Sequence, residues 1–318
     1  MKILFSVILA MSLLFSFAAC GQKNKNASSK EDSSTSVSET SSNTEGYKVS
    51  DSRGDEVSFD KVPQKIISLL PANTEIVYAL GMGEKLIAVS EYCKYPDDTK
   101  TKKKLASGMQ INVEAIIGLD PDVVLFGRMS QADEHLAQLE QAGIKVIVTE
   151  ANSIAETYTV INMLGEVFQA GDKAKQITDK MKSDFDDIKE QVKNKPANKV
   201  YIEISPVANG PWTGGKDTFQ NELLNLVGAE NVFGDISGWQ EVAEEQVISR
   251  NPDYILTTDV YSNPDPIAEI MGRQGWANIS AIKNKKVFVT DSDKLSTPGP
   301  RLVDAAKELA EILYTDFN

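Results

Sequence analysis

The stretch Gly210-Pro-Trp-Thr-Gly-Gly215-Lys216-Asp217 has the G-x4-G-K spacing of a loop that cradles phosphate with backbone N–H groups. Asp217 stands where a Ser or Thr hydroxyl should hold magnesium, and Pro211 and Trp212 occupy positions that need slim, donating backbone. Nucleotide binding is therefore not expected. Gly81-Met82-Gly83 lacks the later glycine of a dinucleotide fingerprint and reads as a turn at a helix C-terminus. No G-x-S-x-G occurs, and the single histidine, His135, leaves no His pair for zinc and no second His to vary a triad. In its polar helix His135 is expected to be solvated. The acidic residues are spread along helix faces and starts, where solvation accounts for them. No catalytic or metal site is expected, and the chain does not read as an enzyme.

Two further acids sit in a repeated phrase. Val113–Leu125 reads VEAIIGLDPDVVL and Glu244–Leu256 reads EEQVISRNPDYIL, so that Glu114 and Glu245 each precede a Pro-Asp pair by the same interval. Each copy predicts a helix, a Pro-Asp turn and a buried strand. An acid in a helix's first turn gains about 0.3–1 kcal/mol from the helix dipole. Capping explains only one copy, because Asn112 precedes the first helix and Ala243 the second.

The ends of the chain place it outside the cytoplasm. Residues 1–19 run from Met1 and Lys2 through an uncharged apolar stretch to small residues, as an export signal does. The ending FAAC resembles the bacterial lipobox, which makes Cys20 the expected site of lipidation and membrane tethering. Residues 20–46 carry almost no large apolar side chains and predict a disordered tether. The formal charge of −13 argues against nucleic acid, whose phosphates demand clustered Lys and Arg. With Cys20 acylated, Cys93 has no disulfide partner and is expected to be a small buried apolar residue.

Strand and helix patterns alternate through the rest. KIISLL and LIAVS read as strands around a helix in ANTEIVYALGMG opened by Asn73; DVVLF, ADEHLAQLEQAG and KVIVTE continue the alternation. The order returns after Lys199 with KVYIEI, DTFQNELLNLVG, YILTT and KVFVTD. An α/β fold of two pseudo-symmetric lobes with mostly parallel sheets follows. The expected divisions are an N-terminal lobe at 47–150, a connecting helical segment at 151–198 and a C-terminal lobe at 199–318. The connection ends in a helix from Asp172 to Val192, about 30 Å long, which resists large hinge closure.

SLLPANTEIVYALG, EYCKYP, NVEAIIGLDPDVVL, GPWTGGKDTFQNELLNLVGAENVF and EEQVISRNPDYIL resemble the substrate-binding proteins of ABC importers, in the helical-backbone group that carries vitamin B12, ferric siderophores or haem. Within that group the likeness is greatest to the vitamin B12 binders. The resemblance implies two lobes joined by a single long helix, with the ligand in the cleft between them. It also implies a monomer partnered by an ABC permease dimer with its ATPase subunits, no intrinsic cofactor, and cobalamin or a related corrinoid as the transported ligand. Ligand contacts would come from Pro71, Ala72, Asn73, Tyr92, Arg128, Trp212, Trp239 and Asp293, with Trp276 a candidate for the core. Aromatic rings suit the broad face of a corrin. Glu114 and Glu245 would dock into Arg-lined pockets of the permease.

The first lobe departs from some B12 binders, since ASGMQIN and LFGRMSQ contain no tryptophan. Either Met109, Phe126 and Met129 build that wall or the ligand is not cobalamin. Arg128 and Arg301 are the candidate cations for an anionic siderophore, and Tyr92 is a candidate axial ligand for haem. An exported enzyme on a similar fold is the alternative from another class.

Overall fold

The computed structural model describes residues 46–108, 111–128, 133–205, 210–258 and 264–317. The expected export signal, Cys20 and nearly all of the expected tether, as well as Met109 and Met129, lie outside the described residues. A compact unit runs from Thr44 to Asn318. It opens with an antiparallel pair, β1 (Tyr47–Ser50) and β2 (Glu56–Phe59).

The first parallel sheet contains β3 (Ile66–Ser68), β4 (Leu86–Ser90), β5 (Lys103–Leu105), β6 (Val123–Gly127) and β7 (Val146–Thr149), in the order β5-β4-β3-β6-β7. Its helices are α1 (Pro71–Ala79), α2 (Val113–Ile117) and α3 (Asp133–Gln141). Side chains alternate between the two faces, as strand geometry requires. Val123 and Leu125 of β6 join the core shared with α1, whereas Val124 and Phe126 join the outer cluster with Ile116 and Leu139. Phe126 thus lies in the outer core and is no cleft wall, which leaves the expected first-lobe wall to Met109 and Met129, outside the described residues. Asn73 does not cap α1. Proline in the first turn, with its preset φ, begins that helix at Pro71, and the buried Asn73 turns inward.

Two helices link the sheets, both within the expected helical segment at 151–198: α4 (Ile154–Val167), for which no separate bounds are expected, and α5 (Gly171–Val192), the expected long helix. At 1.5 Å per residue α5 spans about 33 Å. It buries Ala174, Met181, Phe185, Ile188 and Val192 and exposes lysine–aspartate pairs such as Lys180–Asp184. Gly165 permits its close approach to α4, since a Cβ there would lie 2.5 Å from that of Ala174.

The second sheet is built from β8 (Lys199–Glu203), β10 (Glu230–Asn231), β12 (Tyr254–Thr257) and β13 (Val287–Val289), in the order β10-β8-β12-β13 and parallel throughout. A small antiparallel pair, β9 (Trp212–Gly214) and β11 (Trp239–Glu241), lies apart from it, so the G-x4-G-K stretch forms a strand and turn. Helices α6 (Phe219–Leu226), α7 (Glu244–Arg250), α8 (Pro266–Met271), α9 (Ser280–Lys283), α10 (Ser292–Leu295) and α11 (Leu302–Leu313) complete the lobe. One apolar core runs from the inner face of the first sheet through α1, α4 and α5 to α6, α11 and the inner face of the second. The outer faces have separate clusters. Trp276 is fully buried in the outer cluster of the second lobe, as the core reading expects.

Candidate functional site

In both sheets the strand order reverses, between β3 and β6 in the first and between β8 and β12 in the second. At such a switch point consecutive loops diverge to opposite faces and leave a crevice beyond the carboxyl ends of the strands. A cavity of about 340 Å³ occupies this position. The first lobe supplies Leu70, Ala72 and Asn73 after β3, Gly127 and Arg128 at the end of β6, and residues 149–152 after β7. The second supplies Ile204 after β8, Phe219 and Gln220 of α6, Trp239, Ser296 and Pro298.

Local packing fixes these side chains. Thr149 Oγ1 donates to Asn73 Oδ1 at 3.0 Å, tying the first turn of α1 to the end of β7. Trp239 meets the ring of Phe219 edge-on, with centroids 5.3 Å apart. A Cβ on Gly214 would lie 3.1 Å from that indole, so glycine makes room for it. Gln220 Nε2 donates to the Leu295 carbonyl at 3.0 Å and joins α6 to α10. Arg128 Nη1 lies 3.3 Å from Glu150 Oε2, so its charge already has a neighbour of opposite sign.

Ala72, Asn73, Arg128 and Trp239 therefore line the cavity, and the other four expected contacts do not. Pro71 precedes them at the start of α1. Tyr92, 60% exposed, lies just beyond β4, and Trp212, 41% exposed, begins β9. Asp293 lies on α10, where its Oδ1 is 3.9 Å from Nζ of Lys94. That contact joins the EYCKYP loop of the first lobe to the second.

A stronger link between the lobes was not legible in the sequence. Arg301, at the start of α11, donates to both carboxylate oxygens of Glu75 on α1, at 2.5 and 3.0 Å, and stacks on the Tyr95 ring at 4.1 Å. Burial pushes the Glu75 carboxyl above its ordinary range, and Arg301 draws it back only in part. Arg301 is accordingly a structural partner and no free cation for a ligand. His135 also differs from expectation: its Nδ1 is buried and lacks a hydrogen-bond partner. Cys93 is buried as expected, with its thiol pushed up by desolvation. Among the described residues no group of three His, Cys, Asp or Glu converges as for a metal ion.

Glu114 and Glu245 are exposed in the first turns of α2 and α7. Asn112 Oδ1 caps α2 through the N–H of Ala115 at 2.9 Å. The methyl of Ala243 cannot accept a hydrogen bond, and at α7 only the reverse half of a capping box exists, from the Ala243 N–H to Gln246 Oε1.

A family model described as "Periplasmic binding protein" matches residues 66–294. The uncharacterised ABC transporter substrate-binding lipoprotein YvrC of Bacillus subtilis is 39% identical over 305 residues, covering 94% of this chain and 93% of that protein. The vitamin B12-binding protein of Pectobacterium carotovorum is 30% identical over 253 residues, or 79% of this chain and 89% of the other. Among solved structures, a possible iron-binding, periplasmic solute-binding protein from Staphylococcus epidermidis is 37% identical with a TM-score of 0.71, covering 80% of this chain and all of that one. The chain belongs to the periplasmic binding protein family, as the substrate-binding protein of an ABC transporter: it holds a transported ligand where an enzyme would hold a substrate or cofactor.

Proposed function

We propose that the protein captures cobalamin or a related corrinoid outside the cytoplasmic membrane and delivers it to an ABC permease driven by its ATPase subunits. The observation that carries this reading is a crevice with Trp239 and Phe219 on one wall and, among the described residues that line it, a single cation, Arg128, with Glu150 beside it. A flat, uncharged macrocyclic face suits that wall, whereas an anionic siderophore calls for clustered cations, and Arg301 is bound to the buried Glu75, away from the described lining. At about 340 Å³ the crevice takes the edge of so large a ligand. The exposed Tyr92 and Trp212 would cover part of the remainder. The similarity to vitamin B12-binding proteins supports the same choice.

Calorimetric titration of the purified protein with cyanocobalamin, a ferric catecholate siderophore and haem tests it. Nanomolar cobalamin binding, about −12 kcal/mol, is expected. Tight binding of the siderophore or haem, with none of cobalamin at tens of micromolar, overturns the ligand assignment.

In this reading Cys20 carries the lipid that holds a monomeric receptor at the membrane. Glu114 and Glu245 meet cationic pockets of a two-fold permease. Replacing either by Ala should leave ligand affinity unchanged and weaken docking by roughly 2–5 kcal/mol if the pairs are desolvated.

A further inference from the structure

The repeated phrase carries a second side chain in register. Ile117 lies three residues beyond Glu114 on α2, and Ile248 three beyond Glu245 on α7, a spacing that puts each pair on one helix face. The residue before each isoleucine, Ile116 or Val247, is fully buried and anchors its helix. Ile117 itself is 40% exposed, and Ile248 is half-buried beside Gly275. α7 ends in a left-handed residue, Asn251 with φ 47°, and α2 is followed, after Gly118 and Leu119, by another, Asp120 with φ 48°; each stands directly before Pro and Asp. The next amide then bonds the start of the neighbouring strand in each lobe, Asp122 to the Lys65 carbonyl and Asp253 to the Lys199 carbonyl, both at 2.8 Å. The two helices are thus presented by the same local device, and neither glutamate enters any described ion pair.

An exposed carboxylate meeting a cation in water contributes little, because solvent competes for both charges. Apolar surface beside the carboxylate excludes that water on contact and strengthens the pair. We propose that each permease contact is a carboxylate and an isoleucine together, Glu114 with Ile117 and Glu245 with Ile248. The partner is the two-fold permease, presenting at each point one cation set in apolar surface. This inference rests on the docking role proposed above, and supplies the apolar half of the contact.

The test measures binding of the full-length protein to the permease–ATPase complex of its own importer, purified in detergent. Ile117→Ser should weaken docking roughly fivefold or more, and Ile117→Ser with Ile248→Ser further still, with ligand affinity and Tm unchanged. Because Ile248 is half-buried, Ile117→Ser alone decides if the double variant melts early. Docking by Ile117→Ser within about twofold of wild type, while Glu114→Ala is impaired, overturns the inference and leaves the docking reading standing. Unchanged docking in Glu114→Ala with Glu245→Ala removes both. Isoleucine-dependent binding to protein-free vesicles or to a second copy, with none to the permease, also overturns it.

Discussion

A carboxylate after proline fastens the centre of each sheet. Asp122 Oδ2 accepts from the N–H groups of Gln64 and Lys65 at 2.7 and 2.9 Å, and Asp253 Oδ2 from that of Lys199 at 3.0 Å. Burial tends to raise the Asp122 carboxyl, but the two amides outweigh it and hold the group below its ordinary value. The stability it contributes is present above the unfolded value of 3.8 and is lost as pH falls through its lowered folded value. Asp122→Ala should cost about 1.5–3 kcal/mol by urea denaturation at neutral pH, and the gap to wild type should close in acid as the carboxyl protonates. A gap that persists at low pH would mean the loss is one of packing.

The helix-to-strand turns show what a repeat encodes. Asp120 and Asn251 occupy left-handed backbone, which suits short polar side chains and costs others about 1–2 kcal/mol. Asp120→Ala and Asn251→Ala should each lower the denaturation midpoint by that order, whereas Asn251→Gly should hold or raise it. The letters D-P-D and N-P-D were visible as a turn, but their partners, Lys65 and Lys199, lie more than fifty residues away and leave no local pattern. Strands were legible for a related reason. VVLFG and YILT are unbroken apolar runs because both faces of each sheet are covered, and such runs have few alternatives. The start of α1 was misplaced because Asn73 looks like a cap, while its side chain answers to Thr149, 76 residues on. Phe126, offered as a cleft wall, shows the limit of reading an aromatic by its neighbourhood: its place on β6 turns it to the outer face.

Across the molecule, α4 and α5 carry one continuous core between the lobes, and Glu75–Arg301 closes a second connection beyond them. Both charges of that pair are largely removed from water, so deleting one leaves the other stranded. Arg301→Leu should cost about 3–5 kcal/mol, and adding Glu75→Leu should recover much of it, as a double-mutant cycle by thermal unfolding would show. Additive losses would show that the two side chains stabilise the fold independently and not as a pair. The two partners are 226 residues apart, which is why motifs made Ala72, Asn73, Arg128 and Trp239 of the cavity legible and left the bond between the lobes unseen. The placement of the tryptophans has an optical consequence. Trp276 is sealed in the core, its indole N–H 2.9 Å from Glu244 Oε2; Trp212 faces solvent; Trp239 lines the crevice. The three indoles therefore emit from three different polarities. A ligand whose absorption overlaps indole emission will quench Trp239, which lines the crevice, most strongly, leaving the molecule with its own internal fluorescence gauge of occupancy.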